Sequence, residues 1–135
     1  MKPKALVVAA VLGFGGLVVS SGAAYAQGCT PDTKKDAGEA TTVSASVVDM
    51  SCYLAQGLHG ADHKMCSQVC AKAGVPLVFL SSDGQIILPV SNAMPSTGFN
   101  DELVKHAEEN VKVTGKLVKK AGSQAIVVEK IQSAT

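Results

Sequence analysis

Apolar residues follow a two-residue period in some parts of the chain and a helical period in others. In "TTVSASVVD" (41–49), Val43, Ala45 and Val47 occupy alternate positions among β-branched neighbours, which predicts a half-buried strand. "VPLVFLSSDGQIILPV" holds two almost continuous apolar runs, the pattern of strands covered on most of both faces, and Asp83-Gly84 between them predicts a hairpin turn. In "NVKVTGKLVKKAGSQAIVVEKIQ", Val111 and Val113 alternate toward Leu117. A turn is expected at Ala121-Gly122-Ser123, with a return strand through Ile126, Val127 and Val128. Helices are predicted over 62–73, bounded by Asp62 and by Gly74 with Pro76 beyond, and from Asn100 to about Asn110. In the second, Asn100 is the expected N-cap, Asp101 and Glu102 favour the first turn, and Phe99 can staple onto Val104.

This order of elements resembles an oligonucleotide/oligosaccharide-binding (OB) fold, a five-stranded barrel, over roughly residues 41 to 132. The closing hairpin carries the resemblance most clearly, with Gly115 placed mid-strand where a small barrel has to coil tightly. The departure from the pattern is a Cys/His-bearing helix inserted after the first strand.

The N-terminus changes the context of everything that follows. Lys2 and Lys4 precede an apolar run from Ala5 to Val19, and Ala24-Tyr25-Ala26 offers the small residues that a signal peptidase reads. The expectation is a signal peptide over 1–26, a flexible leader over 27–40 ("GCTPDTKKDAGEA" within it), and one OB-like domain over 41–135 in a periplasmic or secreted protein. A membrane anchor is the competing reading. It is disfavoured by the shortness of the run and by Gly13, Gly15 and Gly16. Lipidation of Cys29 is a further alternative, although Gln27 fits a lipobox poorly. Cleavage after Ala26 leaves 109 of the 135 residues, and the loss of two lysines turns 12 basic residues against 11 acidic into 10 against 11. A near-neutral chain without tryptophan, with two Tyr and three Phe, argues against single-stranded nucleic acid as a partner. No phosphate loop, HExxH or paired-carboxylate motif points to catalysis, and the expectation is a non-enzymatic domain.

The concentrated chemistry lies in "HGADHKMCSQVC" (59–70). With His63 at zero on a helical wheel, Cys66 falls at about −60° and Cys70 at about −20°, so all three share one face. Met65, Val69 and Ala73 form the adjacent apolar stripe expected to pack on the barrel, with Lys64, Gln68 and Lys72 toward water. Cys52, expected at the end of the first strand, can fold back over this helix. Cys52, His63, Cys66 and Cys70 then make a three-thiolate, one-imidazole set suited to copper or zinc, with His59 and Met65 as weaker candidates and Asp49 able to orient His63. Three alternatives stay open for the same residues: a metal site, a disulfide from Cys52 to Cys66 or Cys70, and thiol exchange.

Cys66 and Cys70, with three residues between them, resemble the copper motifs of exported proteins such as cytochrome oxidase assembly factors, the oxidase's binuclear copper centre and helical copper-storage proteins. The stretch "VVDMSCYLAQGLHGADHKMCSQVC" followed by "GVPLVFLSSDG" is similar to a pattern in small exported bacterial proteins of uncharacterised function with an OB-like barrel. The copper-motif resemblance implies copper (or zinc) handling, with a periplasmic metal-donor or metal-acceptor protein as partner, while the second resemblance implies the fold and the site residues more than any function. The runner-up is a disulfide-stapled ligand- or protein-binding module.

Overall fold

The computed structural model describes residues 38–134. The expected signal peptide, most of the leader and Cys29 lie outside the described residues. The elements are β1 (Glu39–Asp49), α1 (Met50–Gln56), a 3-10 turn (Ala61–His63) leading into α2 (Lys64–Lys72), β2 (Leu77–Ser81), β3 (Ile86–Val90), α3 (Asn100–Leu103), a second 3-10 turn (Val104–His106), β4 (Asn110–Lys120) and β5 (Ser123–Ser133).

The five strands close into a barrel in the order β1-β2-β3-β5-β4, with β4 returning to β1. The β3–β5 pair is parallel and all others are antiparallel. This is an OB-fold-like barrel with a helical segment inserted after the first strand, as the pattern predicts. β4 and β5 are joined by the two residues Ala121 (φ 51°) and Gly122 (φ 78°), a turn whose positive φ values match the twist of the hairpin. The hairpin bends at a register shift between Thr114 and Gly115. A Cβ at Gly115 would stand 2.1 Å from the Val127 carbonyl oxygen, so the strands approach there only because the side chain is missing.

The alternating positions fill the barrel. Val47, Phe79, Val111, Val113 and Ile126 are buried in one cluster with Leu103, which α3 contributes. Each such side chain contributes roughly 1.5–3 kcal/mol relative to exposure. Val48 and Val78 are register partners that are also fully buried, in line with the two-faced burial expected of β2.

Three predicted features take a different form. The chain after Asp49 becomes helix α1, so Cys52 lies on a helix and not on a strand. Asn100 is not an N-cap. Its carbonyl oxygen accepts the Leu77 amide (3.0 Å), and its amide nitrogen donates to the carbonyls of Ala71 (3.0 Å) and Val75 (2.7 Å), tying the end of α2 to β2 and α3. The second helix is also shorter than expected, ending in the 3-10 turn at His106 before Glu108 adopts φ 60°. Among the described residues, no helix is long and apolar enough to cross a membrane.

Candidate metal centre

Asp49 starts the site. Its Oδ1 accepts the Cys52 amide at 2.8 Å, capping α1 at the point where β1 ends. The helix lasts two turns because Gly57, at φ 70°, supplies a left-handed cap and donates to the Tyr53 carbonyl at 2.8 Å. A short return then brings the chain into the 3-10 turn and α2. α2 ends at Gly74 in a Schellman pair, Val75 N–H to Cys70 O (3.0 Å) and Gly74 N–H to Ala71 O (3.1 Å), the terminus that Gly74 and Pro76 predict.

α2 is rotated relative to the expectation drawn from its apolar stripe. Ser67 (0% exposed) and Ala71 are the buried residues, while Met65 and Val69 are 78% and 62% exposed. Lys64 and Gln68 share the inward face: Lys64 pairs with Glu109 at 2.5 Å, and Gln68 donates to the Val104 carbonyl at 3.4 Å. Small residues permit close approach, and these polar neighbours reach acceptors on the barrel side, so this stripe docks in preference to the apolar one.

The rotation divides the expected four-ligand set into two overlapping groups. Ligand atoms of Cys52, His63 and Cys66 lie within 4.8 Å of one another, and so do those of Asp49, Cys52 and Cys70. Cys52 belongs to both. Asp49 therefore joins Cys52 and Cys70, and is not grouped with His63 as expected. His59 stands outside both groups, its ring edge-on to Tyr53 with centroids 5.6 Å apart, and Met65 points to solvent. All three described cysteines are free thiols, so the disulfides considered from Cys52 to Cys66 or Cys70 are not formed. The outer group opens to solvent through Cys66, which is exposed, while Cys52 and His63 are half-buried.

Electrostatics distinguishes the thiols. The Cys70 thiol is pushed up to about 12, first by the hydrogen bond its protonated form can give to Asp49 and then by burial. Burial also pushes Cys52 up, with the Asp49 charge adding to it. Asp49 itself is fully buried, and its Oδ2 has no well-formed hydrogen bond; the His63 Nε2 is likewise buried without a partner. Donor atoms left in this state suit an ion better than they suit a finished protein core.

Two residues that the sequence reading did not assign hold the insert on the barrel. The Glu108 carboxylate accepts the Gly60 amide at 2.7 Å, immediately before the turn that carries His63, and its own amide donates to the Val47 carbonyl at 2.7 Å. Glu109 holds Lys64, next to His63, and its carboxylate also lies 3.7 Å from His106, which is half-buried. No local pattern reveals the Glu108–Gly60 and Glu109–Lys64 contacts, which join residues 48 and 45 positions apart. Asp49 did have a signal: an aspartate three residues before Cys52 is N-cap spacing. A surface hollow lined by Gln85, Ile86, Leu88 and residues 119–124 contains no cysteine or histidine.

Comparison with known proteins leaves this geometry to speak for itself: no family model, no curated protein and no solved structure matches the chain.

Proposed function

We propose that this is an exported, non-enzymatic metal-handling protein that holds a copper or zinc ion between Cys52, His63 and Cys66. The observation that carries the reading is the convergence of one thiol from α1 with an imidazole from the 3-10 turn and a second thiol from the start of α2, all within 4.8 Å and open at the exposed Cys66. Two sulfurs and an imidazole nitrogen are donors for copper(I) or zinc and a poor match for calcium or magnesium. A structural zinc site is closed by four protein ligands, whereas three donors at the surface leave a position for a ligand from a donor or acceptor protein. Export follows from the signal-like N-terminus and the resemblance to small exported proteins. In that compartment a bound ion also protects the thiols from oxidation.

Native mass spectrometry of protein purified from the periplasm, without reductant, chelator or added metal, tests the reading in one spectrum. The expected result is a mass that includes an ion, with Cys52 and Cys66 still reducible thiols. A metal-free mass two hydrogens short for each bridge would overturn it in favour of a disulfide-stapled module.

A further inference from the structure

We propose that Cys52 is a bridging thiolate and that the site takes two ions: the outer one on Cys52, His63 and Cys66, and an inner one of the zinc class on Asp49, Cys52 and Cys70. The inner ion rests on the outer-site reading for its bridge, but its own evidence is separate. Asp49 is fully buried, directs one oxygen to the amide of Cys52 and leaves Oδ2 without a well-formed partner. That carboxylate faces two sulfurs, with all three ligand atoms within 4.8 Å of one another. Two sulfurs bound at about 2.3 Å to a tetrahedral zinc stand about 3.8 Å apart, so the pocket needs to contract by at most about an ångström to close on an ion.

Donor type and charge favour a second ion over a single four-coordinate one. A carboxylate oxygen beside two thiolates is a borderline donor set, matched to zinc and less well to copper(I). One carboxylate and three thiolates carry four formal negative charges. A single divalent ion leaves two of them uncompensated in a partly buried site, and a second divalent ion brings the sum to zero. Each thiol that becomes a ligand releases its proton to solvent. The Cys52 sulfur, on α1, lies within 4.8 Å of ligand atoms of both groups, which allows one sulfur to serve both pockets.

The test is zinc titration of the reduced full-length mature chain carrying Cys29→Ser, read by native mass spectrometry with zinc as the only added metal. The expected loads are two ions for this chain, one for Asp49→Asn, one for Cys70→Ala, one for Cys66→Ala and none retained by Cys52→Ala. Asp49→Asn keeps a side-chain oxygen to cap α1 while removing the charge, so folding and ligation are separable. Circular dichroism checks each variant, and either inner-site variant suffices. One ion that survives Asp49→Asn and Cys70→Ala but is lost in Cys66→Ala overturns the bridge and leaves the outer site standing. One ion with the reverse pattern, or no ion at all, overturns the outer site as well. Two ions that persist in Asp49→Asn and Cys70→Ala, or in Cys52→Ala, place the second ion elsewhere and also overturn the proposal.

Discussion

In the barrel, Val47, Val111, Val113 and Ile126 are fully buried, and each sits where strand alternation puts it. In the insert, Met65 and Val69 are exposed while Ser67 and Ala71 are buried, and Lys64 and Gln68 lie on the docking side. Both regions are regular, and both have one face against the protein. What differs is the source of the docking energy. The barrel closes on apolar area that every strand contributes. The insert is fixed by point attachments, Glu108 to Gly60, Glu109 to Lys64 and Asn100 to the end of α2, so its inward face needs small side chains and reaching polar ones more than large apolar ones.

One substitution made in both regions gives the widest separation. Val113→Ser removes a fully buried apolar side chain and leaves a hydroxyl in the core, which should destabilise the protein by about 3 kcal/mol. Val69→Ser, at a position 62% exposed, should change stability by no more than about 0.5 kcal/mol. Urea denaturation of the two variants beside the wild type measures both. Equal costs would mean that α2 buries its apolar stripe after all, and the contrast between the regions would collapse.

The same contrast decides what was legible in the sequence. The strand positions can be read because a strand's apolar pattern reports its burial directly, and the hairpin turns and the tight point at Gly115 can be read from their turn residues and glycine. The terminus of α2 was also legible, since Gly74 and Pro76 act locally. The rotation of α2 was not, because its inward face is chosen by partners on Val104 and Glu109, which a helical wheel does not contain. An apolar strand pattern runs straight into helix α1 and masks the cap at Asp49, so the sequence predicts Cys52 at the strand end. The candidate thiols and His63 are nonetheless visible, because the eight residues from His63 to Cys70 carry three donors on one face. Their division into two groups around Cys52 depends on where α1 places that sulfur, which only the fold determines.

Ser67 sharpens the comparison from inside the insert. Its hydroxyl is fully buried and has no hydrogen-bond partner, in the middle of a helix. Ser67→Ala removes that unmet group and improves helix propensity, so the variant should be more stable by about 1 kcal/mol. The matching change in the barrel, Val113→Ala, leaves a cavity and should be destabilising. Thermal unfolding of both variants provides the check. A loss of stability in Ser67→Ala would show that the hydroxyl has a structural partner and that α2 docks more like the barrel than its contacts indicate.

The smallest effect concerns the attachment at Glu109. Lys64, by hydrogen bonding and by its charge, holds this carboxyl below its ordinary value of 4.5, with His106 adding to the shift. A group whose pKa is lowered on folding contributes stability above its unfolded value and loses it as pH falls through the lower folded value. The carboxylate is partly exposed, so solvent screens the pair and the contribution is small. Glu109→Gln should therefore lie slightly below the wild type in stability at neutral pH. The gap should close as the wild type is acidified through the region below 4.5, and added salt at neutral pH should narrow it as well. Denaturation midpoints for the two proteins across this pH range measure the gap. If it stays constant down to strongly acidic pH, Glu109 fixes the insert by hydrogen-bond geometry alone, and the attachment next to His63 does not depend on charge.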